Sequence, residues 1–202
     1  MHERPLTVDR LTGTKALGVI RNILRLQPDI AELYFWSYNY VPQKSDEGGK
    51  PFWKTRQEIL RSDFLKVLES ELLGEEQVSL GSIVKIADGR ILHIPMMDFC
   101  ISKGTQGLET LKDRLNKLGI KNGWILESGG SYHFYGLDLF EGDQWLDFLG
   151  SCLLTSIVHS RDNIEQVADP RYIGHSLRRG CCALRVTSRG EKSFIPTVVD
   201  II

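Results

Sequence analysis

Three predicted strands each carry one polar side chain whose chemistry suits a phosphate group or a metal ion. Asp98 stands in IPMMDFCI, His133 in SGGSYHFY and Arg185 in CCALRVTS. A carboxylate within such an apolar stretch needs a compensating charge, because burying an unpaired carboxylate is costly. A magnesium or manganese ion would supply that charge, since both prefer oxygen ligands. A salt bridge to a helix arginine, or exposure at the end of a strand, is the alternative explanation of Asp98.

The second segment, SGGSYHFY, predicts a hairpin whose turn lies at Gly129 and Gly130. Side chains alternate along a strand, so Ser131, His133 and Tyr135 share one face of it. The backbone amides of the two glycines, together with Ser131 and His133, could hold phosphate oxygens. A histidine that is simply satisfied in the core or at the surface is the alternative.

A serine hydrolase is not expected from the same segment. The nucleophile elbow G-x-S-x-G is absent, because the glycines precede Ser131 and no glycine stands at position 133. Side chains two positions apart on a strand also point outward side by side, so the imidazole of His133 does not fold back onto the hydroxyl. His93, His133 and His175 match no familiar zinc spacing, and the four cysteines form no C-x-x-C.

Charge is balanced over the whole chain but not along it. Lys and Arg number 25 against 26 Asp and Glu, a net charge of -1, so the overall composition does not indicate a nucleic-acid partner. Residues 171–192 hold six basic residues and one acidic residue, a local net charge of +5. This segment either neutralises phosphate groups or is a solvated face. The N-terminus lacks the apolar core of a signal peptide and no apolar run reaches 18 residues, so we expect a reduced, soluble, cytoplasmic protein without a membrane partner.

Hydrophobic periodicity predicts hairpins interleaved with helices. We expect helices over residues 14–26, 56–73, 108–118, 141–158 and 169–179. We expect a strand over 31–41, two strands within 78–101 joined at 87–90, and two strands joined at the turn 129–130. A closing hairpin should pair 181–188 with 192–202. Leucine stripes at 60–72 and 108–118 are predicted to face the core, and residues 42–51 are a predicted exposed loop. The pattern indicates an α+β fold, a mainly antiparallel sheet backed by helices, and 202 residues suit a single domain.

These motifs together resemble those of the archaeo-eukaryotic primase superfamily, the primase–polymerase type of nucleotidyltransferase. That family has a strand ending in a D-x-D-type acidic motif, then a hairpin with an S-x-H motif, then a later acidic residue before a basic strand. The matching positions in HIPMMDFC, ESGGSYHFYG, VADP and ALRVTSRGEKSFIP are Asp98, then Ser131 with His133, then Asp169, and finally Arg185 followed by Lys192. VADP is the loosest of these matches, and the resemblance covers roughly residues 80–200.

The resemblance implies an RRM-like catalytic sheet, in a motif-bearing part over residues 76–202, paired with an N-terminal α/β layer over 1–75. It implies attack of a primer 3′-hydroxyl on the α-phosphate of a nucleoside triphosphate, assisted by two Mg²⁺ or Mn²⁺ ions. Asp98 and Asp169 would be the metal ligands and, with His133, the catalytic residues. The implied nucleotide-binding set is Gly129, Gly130, Ser131, His133, Arg185 and Lys192. Nucleoside triphosphates and DNA or RNA would be the partners, the nucleic acid through the basic segment 171–192.

Cys100 departs from the family pattern. The first motif normally supplies two carboxylates two residues apart on the ligand face, and Cys100 takes the place of the carboxylate that should follow Asp98. A neutral thiol is a poor ligand for a hard cation. Two functions therefore stay open: an active metal-dependent nucleotidyltransferase, and a catalytically weakened module that binds a nucleotide or nucleic-acid end as a sensor or accessory subunit.

Overall fold

The computed structural model describes residues 12–39, 49–188 and 193–202 of the chain. The helices are α1 (Ala16–Leu26), α2 (Arg56–Leu60), α3 (Phe64–Ser70), α4 (Thr105–Lys117), α5 (Gly142–Leu153) and α6 (Pro170–Arg179). The strands are β1 (Ile30–Tyr38), β2 (Lys50–Thr55), β3 (Gln77–Ile86), β4 (Ile91–His93), β5 (Met96–Phe99), β6 (Gly123–Glu127), β7 (Tyr132–Gly136), β8 (Ile157–Ser160), β9 (Asn163–Glu165), β10 (Ala183–Arg185) and β11 (Thr197–Ile201).

The strands form two larger antiparallel sheets and one small hairpin. The first sheet has the order β10-β3-β1-β2, with β4 also paired to β3. The second sheet has the order β11-β6-β7-β5, and β8 pairs only with β9. Every strand pair among the described residues is antiparallel. The predicted α+β class, with antiparallel sheets backed by helices, is confirmed.

Local signals placed several elements correctly. Apolar residues at helical spacing form the buried side of α1, and Leu17, Ile20 and Leu24 are all buried. The α6 helix begins as predicted, with Asp169 as its N-cap and Pro170 in its first turn. Both residues suit a helix start, because the carboxylate accepts from free backbone amides and proline has no amide to lose.

Two predicted helices are shorter than their periodicity suggested. The helix expected over 56–73 is broken into α2 and α3, because Arg61 takes an extended backbone conformation between them. Leu60 and Val67 are 37% and 40% exposed, so the predicted leucine stripe is not wholly core. The helix expected over 141–158 ends at Leu153, and the β8–β9 hairpin follows. Thr155 donates its hydroxyl proton to the carbonyl of Cys152 at 2.7 Å, which satisfies a carbonyl at the helix end.

The strand pairing differs from the prediction at two places. Pro95 interrupts the segment predicted as one strand, so β4 lies in the first sheet and β5 in the second. Proline has no amide proton for the ladder, which is why pairing stops there. The closing hairpin is also wrong, because β10 pairs with β3 and β11 with β6. Lys192 and residues 42–48 of the predicted loop lie outside the described residues, and Lys50 and Pro51 belong to β2 instead of a loop.

The second sheet has one face covered by a helix and another that bears the motif residues. Tyr132 points to the α4 side, where its hydroxyl oxygen accepts from the amide of Gly104 at 2.9 Å. Lys112 of α4 also bonds to Asp200 of β11 at 2.8 Å. His133 follows Tyr132 and therefore points to the other face.

The buried apolar side chains of both sheets form one hydrophobic cluster. The predicted organisation, a single domain with an N-terminal part over residues 1–75, stays a prediction. No helix in the described ranges is both long enough and apolar enough to cross a bilayer.

Candidate functional site

Asp98 and His133 lie directly opposite each other on neighbouring strands. The register of β5 and β7 pairs the two residues, so both side chains occupy the same face of the second sheet. His133 Nε2 lies 3.7 Å from Asp98 Oδ1. All five residues of β7 are buried, and His133 is 6% exposed, whereas the Asp98 side chain is 34% exposed. A firmly held imidazole thus meets a carboxylate that solvent or a ligand can reach.

Asp169 reaches the same place through the backbone. Its amide donates to the carbonyl of Asp98 at 3.1 Å, and the amide of Cys100 donates to the carbonyl of Val167 at 2.9 Å. Ala168 forms an antiparallel bridge with Phe99. Residues 167–169 therefore run beside β5, which puts the two predicted metal ligands on adjacent chain segments. One oxygen of the Asp169 carboxylate also caps α6, accepting from the amide of Arg171 at 2.8 Å.

Cys100 lies beside both acids, where the family pattern calls for a further carboxylate. Its thiol donates to the carbonyl of Gln166 at 3.2 Å. Partial burial raises the pKa of the Cys100 thiol, and the negative charges of Asp169 and Asp98 raise it further. The sulfur is therefore a protonated thiol at neutral pH and not an anionic ligand. Within the ranges that the structure describes, no three His, Cys, Asp or Glu side chains are grouped so that they could hold a metal ion.

The glycine turn and Ser131 form the end of the site. Gly129 has a φ of +122°, a conformation that side chains rarely adopt, which explains the glycine. A Cβ at Gly129 or Gly130 would meet no atom within 4 Å, so this backbone borders open space. The Ser131 hydroxyl lies against the carbonyls of Phe99 and Ile101, the latter at 3.0 Å, and ties β7 to the end of β5. That engagement agrees with the expectation that Ser131 does not form a hydrolase triad with His133.

Arg185 is a buried cross-connection between the two sheets. It is 6% exposed and extends from β10 of the first sheet. Its guanidinium donates to the carbonyls of Ser128 at 3.1 Å and Thr187 at 3.2 Å, and also to that of Phe194. Ser128 begins the glycine turn and Phe194 precedes β11. Arg185 therefore fixes the turn in place and brings its positive charge to the site, whereas Lys192 lies outside the described residues.

Tyr135 is the functional candidate to which the sequence assigned no role. Its hydroxyl is buried and has no hydrogen-bond partner within the described part of the chain. Burial raises the pKa of the phenol; the charge of Arg185 lowers it and that of Asp98 raises it, so both groups act on the hydroxyl. The available signal was strand alternation, which placed Tyr135 on the face of His133. The site thus contains a buried donor that a phosphate or sugar oxygen could satisfy.

His93, one of the three histidines that match no familiar zinc spacing, is a buried residue. The ring of His93 stacks on Trp145 with centroids 4.5 Å apart. Its Nδ1 lies 3.1 Å from the hydroxyl of Ser82, which itself accepts from the amide of Cys182 at 3.0 Å. The Ser82 hydroxyl therefore links the imidazole to the backbone amide of Cys182, whichever ring nitrogen carries the proton. Burial lowers the pKa of His93 to about 4, so this histidine is part of the core.

Comparison with known proteins bears on the same residues. A family model described as archaeo-eukaryotic primase 1D-like matches residues 56–196, which include Asp98, His133, Asp169 and Arg185. No curated protein and no solved structure matches the chain. The family match covers well over half of the sequence and begins upstream of the motifs, in α2. The chain therefore belongs to the archaeo-eukaryotic primase superfamily, in its 1D-like family.

Proposed function

We propose that this protein is a primase-like module that binds a nucleoside triphosphate, or the phosphate-bearing end of a nucleic acid, at its polar site. The polar site is defined by Asp98, His133, Tyr135, Asp169 and Arg185. The observation that carries the proposal is the cross-strand pair of Asp98 and His133 beside the buried, unsatisfied hydroxyl of Tyr135. A buried donor without a partner costs about 1–3 kcal/mol, so its presence in a fold is explained when a ligand satisfies it.

The donors of the site suit phosphate oxygens. Backbone amides at Gly129 and Gly130 border open space, and the imidazole of His133 and the phenol of Tyr135 stand on one face of β7. Arg185 adds positive charge while it holds the turn through Ser128. The family motif adds Ser131 and Lys192 to the proposed phosphate-binding groups. Ser131 would contact a phosphate only by giving up its bond to a backbone carbonyl, so we assign it first to positioning β7.

The two acids of the polar site suit a single divalent cation. Mg²⁺ in proteins is commonly held by one or two carboxylates together with substrate phosphates and water. Asp98 and Asp169 lie on adjacent segments and would hold one Mg²⁺ or Mn²⁺ ion in that way, since Cys100 offers no anionic ligand. The ion would neutralise phosphate charge when bound. Nucleotide binding should therefore depend on a divalent cation.

The second candidate is catalysis, a metal-dependent transfer of a nucleotide to a primer 3′-hydroxyl. Family membership and the adjacency of Asp98 and Asp169 favour it. Asp98, Asp169 and His133 would be its catalytic residues. The thiol of Cys100 weighs against full activity, because it stands where the family pattern has a carboxylate and is a poor ligand for a hard cation. We therefore place binding, as a sensor or accessory subunit, before catalysis.

Calorimetric titration with each nucleoside triphosphate, with and without Mn²⁺, tests the proposal. We expect binding that requires the cation and that weakens about 10- to 100-fold in Asp98→Asn and in His133→Gln, as for the loss of a charge-assisted hydrogen bond. His159→Gln is the matched control, because His159 is exposed on β8. Flat titrations for every nucleotide and for 5′-phosphorylated oligonucleotides would rule the proposal out. Incorporation of labelled nucleotide on a primed template, lost in Asp98→Asn, would establish the second candidate.

A further inference from the structure

An aromatic cluster occupies the face of the first sheet that lies opposite its core. In β1 the side chains of Leu33 and Phe35 are fully buried, so the alternating residues Tyr34 and Trp36 point to the other face. Trp53 of β2 stands opposite Tyr34 in the register and joins them. We call Tyr34, Trp36 and Trp53 the aromatic platform.

The platform lies on the same face of the first sheet as Arg185 of the polar site. One register row crosses four strands: Arg185 pairs with Ser79, Ser79 with Trp36, and Trp36 with Pro51. Residues directly opposite each other on paired strands share a face. Arg185, which reaches the glycine turn of the polar site, therefore lies on the same face as the platform. Arg185 and Ser79 are both buried, so the row fixes which face the platform shares and is not itself an open groove.

The rings are arranged so that Trp53 remains available. Trp53 is 40% exposed, and its ring meets that of Tyr34 edge to face, with centroids 5.2 Å apart. This exposed fraction leaves part of the Trp53 indole open to another flat group. Gly81 of β3 makes room for this packing, because a Cβ there would lie 2.4 Å from the Tyr34 ring. Trp53 is therefore the exposed ring of the platform. Tyr34, by contrast, packs over Gly81, and the indole nitrogen of Trp36 is buried.

Positive charge borders the platform. The guanidinium carbon of Arg179 lies 5.9 Å from the centre of the Trp36 ring, a cation–π geometry. Arg178 beside it is exposed at the end of α6. Residues 171–188 contain four arginines and no acidic residue. Aromatic rings beside cations are the combination that binds unpaired nucleotides, the bases by stacking and the phosphates by charge.

We propose that the aromatic platform binds single-stranded nucleic acid, with a base stacked on Trp53 and the backbone phosphates near Arg178 and Arg179. This inference rests on the proposed function, and it adds a strand-binding surface on the face of the first sheet that carries Arg185. Only unpaired bases offer their faces for stacking, so the surface should prefer a single strand to a duplex. The surrounding arginines favour a polyanion over a protein segment as the occupant, since an apolar protein contact gains nothing from them.

Fluorescence anisotropy of the full chain with a labelled oligo(dT), and with the same strand in a duplex, tests the inference. We expect Trp53→Ala to weaken single-strand binding about 5- to 150-fold, the range for loss of one base–aromatic stack, while Trp53→Phe keeps most of the affinity. Leu154→Ala, on a side chain that is 85% exposed elsewhere, should change nothing. Arg179→Gln should reduce the slope of log affinity against log salt by about 0.7, whereas Arg161→Gln should not.

Tryptophan fluorescence gives a second measurement that does not depend on the alanine variant. Trp124 and Trp145 are 2% and 4% exposed, so quenching by acrylamide mainly reports the exposed Trp53 and, to a smaller extent, the half-buried Trp36. The oligonucleotide should protect this fluorescence, and most of the protection should be lost in Trp53→Phe, which removes the exposed indole. The inference would be overturned if the protein bound no oligonucleotide, or if a folded Trp53→Ala variant kept wild-type affinity. It would also be overturned if sedimentation showed a dimer that Trp53→Ala dissociates, because the platform would then be a protein contact. Loss of triphosphate binding alone, with Trp53-dependent strand binding retained, would remove only the proposed function of the polar site.

Discussion

Replacing Cys100 by aspartate should reveal whether the polar site is a metal site with one ligand missing. The thiol lies beside Asp98 and Asp169, whose charges raise its pKa. A carboxylate at this position would be repelled by both acids unless a cation is bound among them. The sign of the effect on stability therefore depends on the cation, which distinguishes this substitution from simple damage to the fold.

The size of the repulsion follows from the strand geometry. Side chains two residues apart along a strand lie about 6–7 Å apart, a spacing that we take for Asp98 and for Cys100 directly after β5. Side chains opposite each other on neighbouring segments lie about 5 Å apart, so we take the carboxylates to be about 6 Å apart. Each pair then repels by about 0.7 kcal/mol at the dielectric constant of water and by about 3 kcal/mol at the effective value near a protein surface. Cys100 is exposed, so solvent screening favours the lower values. Repulsion by both acids together is about 1–2 kcal/mol, which lowers Tm by about 2–8 °C.

Thermal unfolding of Cys100→Asp and Cys100→Ser, each with and without Mn²⁺, measures this effect. Serine is the control, because it is close to cysteine in size and carries no charge. We expect the aspartate variant alone to lose stability in metal-free buffer and to regain about 2.7 kcal/mol when Mn²⁺ is at 100 times its dissociation constant. Nucleotide incorporation on a primed template should rise in the same variant.

Two results would refute this reasoning. If both variants unfold at the same temperature regardless of Mn²⁺, position 100 is not close enough to the two acids to serve as a ligand position. If the wild-type protein incorporates nucleotide and Cys100→Asp lowers that activity without weakening metal binding, the cysteine is suited to the site and is not a vacancy.

Three further substitutions test individual parts of the structure. Tyr135→Phe removes a buried hydroxyl that has no partner in the described residues. It should raise the free energy of unfolding by about 1 kcal/mol and weaken nucleotide binding. A loss of stability would mean that the hydroxyl is satisfied within the fold. Arg185→Lys should lower the free energy of unfolding, measured in urea, by about 2–4 kcal/mol, because one ammonium group cannot bond all the carbonyls that the guanidinium bonds. The control Arg161→Lys should change it by no more than about 0.5 kcal/mol. His93 has a folded pKa of about 4 against 6.5 for the free side chain. Between these values the unfolded chain binds more protons, so the stabilisation is complete above pH 6.5 and is lost as pH falls toward 4, by up to about 3 kcal/mol. Urea unfolding of His93→Gln should lack this part of the decline, and an unchanged profile would contradict the neutral, buried imidazole.

Several features of the site follow from signals that neighbouring residues carry. Alternation along β7 put Ser131, His133 and Tyr135 on one face, and the glycine pair marked the turn before them. Asp169 followed by Pro170 predicted the start of α6 correctly. Such signals survive folding because they depend on the covalent geometry of the chain and on bonds within a few residues.

Other features depend on contacts between distant segments. The family resemblance gave Arg185 a phosphate-binding role, which stays a prediction. The bonds of its guanidinium to backbone carbonyls of two other segments were not indicated by the sequence. The adjacency of Asp169 and Asp98 arises because residues 167–169 run beside β5. No local pattern indicates that pairing, since the partner of a strand edge is chosen by the packing of the whole molecule.

The sequence by itself determined the α+β class, the family and which polar residues stand on one face of each strand. Tertiary structure alone decided that Pro95 divides the acidic segment between two sheets, and that β10 and β11 pair with different partners and not with each other. It also decided that the hydroxyl of Tyr135 is buried and that the charges of both Asp98 and Arg185 act on it. The physical reason is the range of the interactions. Side-chain alternation and helix capping act over a few residues, whereas burial, pairing and electrostatic surroundings are set by segments far apart in the chain.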